Sequence, residues 1–349
     1  MLLDAIFSLL SYDLGIDLGT THTFVLIRGK GIAIREPSVV ARHQKTKQIL
    51  AIGTEAKRML GKTPKSIEAF HPLRGGVIAD FDATQAMLEY YIKKVHETPG
   101  WIPKIPKPRV VIGVPSGVTE VERRAVQDAA LSAGARKAYL IEEPMAAAIG
   151  VGLPINEPAG FFICDIGGGT SEIAIISLGG IVLNRSIRVA GTEMDEAIVN
   201  FVRIKYSVLI GLPTAEEVKI YLGSVYPQKE EKQTIIRGRD LGTGLPRSLK
   251  ISSTEIREAI SPIASQIVGT VTDLLEETPP ELVSDIVNRG IVLCGGTSQI
   301  AGFDQLVAEE TKMPVWIAED PATAVVKGCG KVLDDPLLLE RVKITGGLK

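Results

Sequence analysis

The chain contains GIDLGTTHTFVLI at residues 15–27 and, much later, FICDIGGGTSEIAII at residues 162–176. Each stretch runs through apolar residues to an aspartate, Asp17 or Asp165, and then to a turn rich in glycine and hydroxyl residues. A second apolar run follows each turn. This pattern predicts two copies of one β-hairpin with an acidic, glycine-rich tip. The duplication predicts a fold of two related halves.

The residues at the hairpin tips suit a phosphate chain. A carboxylate at the end of a strand lies at the carboxyl edge of a sheet, where open α/β sheets bind ligands. Glycines after it let backbone N–H groups approach phosphate oxygens, because no Cβ intervenes. The side chain of His22 has two alternative positions: it could point toward the phosphate, or it could stack on the protein surface. The predicted phosphate-binding residues are Gly19, Thr20, Thr21, His22, Gly167, Gly168, Gly169 and Thr170.

The two aspartates predict a metal ion. Asp17 and Asp165 would repel a phosphate that they touched directly. We therefore expect both to act through Mg²⁺ or its water ligands, since this ion prefers oxygen and keeps much of its hydration. One such hairpin is usually only a turn, whereas two aligned copies favour a binding site.

The length and net charge of the chain limit the classes of function that are expected. The 349 residues suffice for two domains of ordinary size. With 39 basic and 41 acidic residues the net charge is −2, so we expect no nucleic-acid partner. The three cysteines have no C-x-x-C spacing and are predicted to be buried thiols in a reducing cytoplasm.

Strands and helices follow one scheme twice. A three-strand meander and then alternating strands and helices are predicted in each half, which indicates an α/β fold. Pro144 is expected at the first position of an alanine-rich helix that joins the halves. Glu143 would then be extended, ahead of the helix.

Together with the hairpins, IEEPMAAAIG at residues 141–150 and GIVLCGG at residues 290–296 resemble the actin, heat-shock chaperone and sugar-kinase ATPase superfamily. Further stretches, such as EPSVVA at residues 36–41, are most similar to the MreB family of bacterial actins. The resemblance covers about residues 12–333. It implies an actin-like fold: two duplicated ribonuclease-H-like domains with a nucleotide cleft between them, each with a smaller subdomain.

The resemblance also implies domain bounds. An N-terminal amphipathic segment is expected at residues 1–11. The first domain would comprise residues 12–144 plus 315–349, with its small subdomain at about 33–75. The second would comprise residues 145–314, with its small subdomain at about 185–250.

The resemblance implies catalytic roles for two residues. Glu143 would orient the water that attacks the γ-phosphate, and Thr170 would assist with the same water or phosphate. Catalysis would consist of positioning and charge stabilisation, without a covalent intermediate. The alternative for Glu143 is a carboxylate that only complements the helix dipole.

Two further segments are implied to hold the nucleoside of ATP. The turn Gly295, Gly296, Thr297, Ser298 would pass under the base or ribose, and Thr297 and Ser298 depart from the Gly-Ala usual in the family. Likewise Thr21-His22 replaces the usual Ala-Asn. A helix would close over the adenosine, or else be plain solvated helix, with the residues Glu216, Glu217 and Lys219. Preference for ATP over GTP depends on the shape of the cleft and stays open.

Two segments suit a membrane surface. The loop at residues 99–108 carries Trp101 and Ile102, and could instead pack on its own domain. The N-terminal segment has one apolar face, which could lie in the bilayer surface or dock on the protein as an extra helix. That face consists of Leu2, Leu3, Ile6, Phe7 and Leu10.

The family resemblance implies an ATP-dependent, slowly hydrolysing protomer that forms homopolymeric filaments. These would lie in the cytoplasm on the inner face of the cell membrane, with membrane-bound cell-wall elongation proteins as partners, and would maintain rod shape. The open alternatives are a paralogue or a plasmid-segregation actin with weak or no hydrolysis. A chaperone would need a peptide-binding domain after the ATPase, and a sugar kinase a general-base aspartate between the domains; neither is expected.

Overall fold

The computed structural model describes residues 11–97 and 105–344. Across these two ranges no helix combines the length and the apolar character that crossing a bilayer requires. The predicted membrane-facing residues lie outside the described residues; they are Leu2, Leu3, Ile6, Phe7, Leu10, Trp101 and Ile102.

The strands are β1 (Leu14–Leu18), β2 (His22–Ile27), β3 (Gly31–Pro37), β4 (Val40–His43), β5 (Ile49–Ile52), β6 (Ile67–Phe70), β7 (Leu73–Arg74), β8 (Val77–Ile78), β9 (Arg109–Val114), β10 (Lys137–Glu142), β11 (Phe161–Ile166), β12 (Ser171–Ser177), β13 (Gly180–Ile187), β14 (Val208–Leu209), β15 (Gln233–Asp240), β16 (Pro246–Ser252), β17 (Ile291–Cys294) and β18 (Val315–Ile317).

The α-helices are α1 (Thr54–Met59), α2 (Phe81–His96), α3 (Glu120–Ser132), α4 (Glu143–Val151), α5 (Gly191–Tyr206), α6 (Leu212–Leu222), α7 (Ser253–Glu276), α8 (Pro280–Arg289), α9 (Phe303–Thr311), α10 (Ala324–Asp334) and α11 (Pro336–Val342).

Two five-stranded sheets of the same topology form the centres of the two halves. The first has the order β10-β9-β1-β2-β3 and the second β18-β17-β11-β12-β13. In each, three strands form an antiparallel meander and the other two run parallel to the first strand of that meander. The predicted hairpins and their duplication are thus confirmed, with Asp17 and Asp165 at equivalent positions.

Smaller sheets extend each half. In the first, β5, β4 and β6 pair with one another beside α1. In the second, β14, β15 and β16 form an antiparallel sheet.

Two bounds differ from the prediction. The strand β18, predicted in the first domain, hydrogen-bonds to β17 in the second sheet. Helix α10 packs on β1 and β9 of the first sheet, and residues 343 and 344 bond to β10 of that sheet. The domain bounds implied by the resemblance assigned this strand to the other half, and a strand of three residues carries no local signal that identifies its partner. Helix α4 begins at Glu143, with Glu142 as the extended N-cap. Pro144 still fits at the second position because the first N–H groups of a helix have no intrahelical acceptor. Helices α8, α9 and α11 were not predicted.

Helices α4 and α10 lie between the two sheets and contact each other backbone to backbone. A Cβ on Gly328 of α10 would lie 1.8 Å from the carbonyl oxygen of Ala146, and one on Gly150 would lie 1.9 Å from that of Ala324. Around them is a buried apolar cluster that includes Cys294 and Cys329. The three cysteines are free and buried, as predicted.

We expect Gly328→Ala to lower stability by about 3 kcal/mol or more, because overpacking costs about 1–3 kcal/mol even where flexible side chains give way. The matched control is Gly269→Ala in α7, where the new Cβ meets nothing within 4 Å. That change should raise stability by about 0.5–1 kcal/mol, through helix propensity. The urea midpoints of the two variants test this. Equal midpoints would contradict the contact between α4 and α10.

Candidate functional site

A cavity of about 550 Å³ lies between the two halves, and both hairpin tips line it. Most of the predicted site residues meet here. They are Asp17, Gly19, Thr20, Thr21, His22, Glu143, Asp165, Gly167, Gly168, Gly169, Thr170, Glu216, Lys219, Gly295, Gly296 and Thr297.

The hairpin tips press against each other. A Cβ on Gly168 would lie 2.2 Å from Oγ1 of Thr21, and one on Gly169 would lie 2.5 Å from Oγ1 of Thr20. Such distances leave room for hydrogen only, so glycine is required at both positions. The Thr20 hydroxyl oxygen also accepts a hydrogen bond of 2.9 Å from the N–H of Gly76. The two tips therefore form one continuous wall of the cavity.

Side chains from other loops hold the second tip. The carbonyl of Gly167 accepts a 2.6 Å hydrogen bond from the Thr297 hydroxyl. The carbonyl of Gly168 accepts from the N–H and the hydroxyl of Thr192, at 2.7 and 2.8 Å. Thr297 thus ties the third glycine turn to the second hairpin. Ser298 is buried outside the cavity lining, where its hydroxyl donates to the carbonyl of Gly295 at 2.8 Å.

Buried carboxylates gather beneath the tips. Desolvation raises the pKa of Asp17 to about 7. Desolvation, and then the charges of Asp17 and Glu172, raise the pKa of Asp165 to about 8. The pKa of Glu143 lies well above its usual range, because of burial first and then the charges of Glu172, Asp17 and Asp165. Like charges so placed favour a bound cation, which would keep them ionised.

The carboxylates fit Mg²⁺ only with help from other ligands. Within residues 11–97 and 105–344, no three His, Cys, Asp or Glu side chains are placed to hold a metal ion by themselves. Asp17 and Asp165 both line the cavity and supply hard oxygen donors. An ion here would take its remaining ligands from phosphate oxygens and water, which is how Mg²⁺ is commonly bound.

Glu143 stands at the junction of β10 and α4. It is 8% exposed and lines the cavity, so its carboxyl group faces the space next to the hairpin tips. Thr170 is equally buried and also lines the cavity. The two residues predicted to contact the attacking water therefore lie in one enclosed space.

Two ion pairs contribute Glu216, Lys219 and Asp195 to the cavity lining. Lys57 of α1 reaches across to Glu216 of α6, with 2.8 Å between Nζ and Oε2. Lys219 pairs with Asp195 at 2.8 Å and donates to the carbonyl of Gly191 at 2.7 Å. Glu217 is exposed and lies outside the cavity lining. Helix α6 therefore contributes Glu216 and Lys219 to the cavity lining, whereas Glu217 does not reach it.

His22 faces the cavity rather than the outer surface. Burial first and then the charge of Lys57 lower its pKa, so the ring is neutral at pH 7. Its Nδ1 lies 3.3 Å from Oγ1 of Thr21. The ring can therefore offer a hydrogen bond to a phosphate.

Sequence reasoning missed three charged residues at or near this site. Lys57 and Asp195 depend on contacts between distant segments, and no local pattern marks them. Glu172 did have a signal, because it is a charged residue inside the apolar run of the second hairpin. Such a charge on a buried strand indicates a specific partner.

The chain is similar in sequence to known proteins. The family model for the MreB/Mbl protein matches residues 11–341. The cell shape-determining protein MreB of Escherichia coli strain K12 is 49% identical over 328 residues, which are 93% of this chain and 94% of that protein.

Solved structures of other proteins are also similar to this chain. MreB5 of Spiroplasma citri bound to ADP is 38% identical, with a TM-score of 0.88 over 95% of this chain and 98% of that one. The same protein has also been solved with AMPPNP. The MamK double helical filament is 23% identical with a TM-score of 0.78 over 93% of this chain and 99% of that one, a likeness of fold alone. The fold is actin-like, and this chain belongs to the MreB/Mbl family.

Proposed function

We propose that the chain is an ATP-dependent, filament-forming bacterial actin that assembles on the cytoplasmic membrane and organises cell-wall synthesis to maintain rod shape. The observation that carries this is the cavity walled by two touching glycine-rich tips above buried aspartates. A relative with 49% identity is named for determining cell shape, and a structural neighbour is bound to ADP or AMPPNP.

The proposed ligand is ATP with Mg²⁺. The phosphates would lie between residues 19–22 and 167–170, with the ion between Asp17 and Asp165. Glu143 would orient the attacking water and Thr170 would assist it. No group in this arrangement forms a covalent intermediate, so hydrolysis depends on positioning and on charge stabilisation.

The proposed assembly is a homopolymer on lipid at the inner face of the cell membrane. One buried large apolar side chain yields about 1.5–3 kcal/mol. Several partly buried ones on one molecule give only marginal binding, once the cost of ordering the segment is subtracted. Linking many copies in a filament makes the combined binding to the membrane strong. Membrane-bound cell-wall elongation proteins would be the partners.

We expect the full chain to pellet with liposomes in the presence of ATP and Mg²⁺. A version without residues 1–10 and a Trp101→Ala, Ile102→Ala version should each bind less lipid while binding nucleotide equally. The truncation spares Ser11, whose hydroxyl lies 3.0 Å from Nε2 of His96. The measurement is co-sedimentation with and without lipid.

Two other results would lead to different conclusions about the filament. Pelleting that needs nucleotide but not lipid would support a filament without the membrane, as in a plasmid-segregation actin. A chain that pellets under no nucleotide condition would contradict the filament and leave a nucleotide-binding protein of actin fold.

The proposed cation site makes stability depend on pH. The folded-state pKa values, about 7 for Asp17 and about 8 for Asp165, exceed the value of about 3.9 for an unfolded aspartate. Between the unfolded and folded pKa values the folded state holds protons that the unfolded state releases. This stability therefore falls progressively from about pH 4 and is fully lost once the pH exceeds about 8. In a chelator, the unfolding temperature should fall between pH 6 and pH 8.5.

Asp165→Asn should flatten this fall, because an amide does not titrate. The matched control is Asp128→Asn on α3, whose side chain is 54% exposed; it should leave the slope unchanged. Mg²⁺ with ATP should stabilise the unaltered chain most at the higher pH. Identical slopes for all three proteins would contradict the enclosure of Asp165.

A further inference from the structure

Glu172 is a buried carboxylate to which the proposed nucleotide chemistry gives no part. It lies on β12, two residues after Thr170, and is 1% exposed. One carboxylate oxygen, Oε2, accepts from the N–H of Ser116 at 3.0 Å and from its hydroxyl at 2.6 Å. The other, Oε1, accepts from the Ser186 hydroxyl at 2.5 Å.

These hydrogen bonds join the two halves of the molecule. Ser116 follows β9 of the first sheet, whereas Ser186 and Glu172 lie on β13 and β12 of the second. The packing beside the bonds is tight, since a Cβ on Gly117 would lie 2.9 Å from Cβ of Ser186. The loop at residues 115–117 is therefore fastened to the second hairpin.

The same loop is adjacent to both proposed catalytic residues. Gly76 lies between Pro115 of this loop and Thr170. A Cβ on Gly76 would lie 2.5 Å from Cγ of Pro115 and 2.9 Å from Cγ2 of Thr170, so only the backbone of Gly76 separates the two side chains. On the other side, β9 and β10 are paired so that Val114 is opposite Glu142. Ser116 and Glu143 thus both lie just beyond the ends of neighbouring strands.

Electrostatics agrees with this proximity. After burial, the charge of Glu172 is the largest cause that raises the pKa of Glu143. Burial also raises the pKa of Glu172 itself, while the hydrogen bonds from Ser116 and Ser186 oppose that rise. The charges of the two glutamates therefore act on each other, and neutral donors hold Glu172 in place.

We propose that Glu172 is a positioning residue for ATP hydrolysis. By fastening the loop at residues 115–117 to the second hairpin, it keeps Glu143 and Thr170 at the correct separation across the attacking water. Glu172 itself does not touch the nucleotide. This inference rests on the proposed function, because it concerns the hydrolysis step of the same site.

Three substitutions distinguish a positioning role of Glu172 from a role of its negative charge. Glu172→Gln keeps the shape and can satisfy the same three groups, because its carbonyl accepts from the Ser116 N–H and serine hydroxyls can also accept. Glu172→Ala removes every bond. Ser116→Ala removes one bond and keeps the backbone, which preserves a folded test protein if the first alanine variant unfolds.

We expect Glu172→Ala to lower kcat for ATP by about 10–100-fold, because misplacing catalytic groups by about 1 Å costs on that order. Glu172→Gln should restore kcat to within about 3-fold of the unaltered chain, and Ser116→Ala should lie between them. Nucleotide Kd and pelleting with AMPPNP should change by less than about 3-fold in all three. Ser116→Ala should add nothing in the Glu172→Ala background, because residues that act as one unit are not additive.

The matched control is Glu255→Ala, which removes the capping box of α7 away from the cavity. It should lower stability without changing kcat. An unchanged kcat in Glu172→Ala, a Kd that weakens in parallel with kcat, or a Gln variant as slow as the Ala variant would each overturn the positioning role. An unaltered chain that binds no ATP or releases no phosphate would instead contradict the proposed function.

Discussion

The contact between the two hairpin tips is the constraint on which the rest of the structure depends. Gly168 and Gly169 lie so close to Thr21 and Thr20 that no side chain fits between them. This contact brings the ends of β1 and β11 together and sets two aspartates at one cavity. Helices α4 and α10, packed backbone to backbone between the sheets, hold the two halves at the distance that the contact requires.

The same contact concentrates negative charge in a place with little water. Asp17, Asp165, Glu143 and Glu172 all have pKa values above their usual range, chiefly because of burial. A folded protein without a cation is therefore destabilised at high pH by the residues that its proposed chemistry needs. Proteins commonly accept such strain at functional sites, where a ligand relieves it.

Much of the fold could be predicted because its signals are local. Apolar runs that end in an aspartate and glycines predicted the two hairpins, which the structure forms from β1 with β2 and from β11 with β12. The pairing of β18 with β17 could not be predicted, since a three-residue strand has no pattern that names its neighbour. The start of α4 moved by one residue because proline fits either of the first two helical positions.

The candidate site could also be predicted in part. Most of the predicted residues of the glycine turns do line the cavity. Glu217 and Ser298 were predicted there and do not line it, because the sequence does not tell which side of a helix or turn faces a cavity. Lys57 and Ser116 act through contacts with segments far away in the chain, so only the folded structure reveals them. The most direct test is a crystal structure of this chain with AMPPNP and Mg²⁺. The account predicts the triphosphate between residues 19–22 and 167–170, with the ion held between Asp17 and Asp165 through phosphate oxygens and water. A nucleotide bound elsewhere, or an ion away from both aspartates, would contradict it.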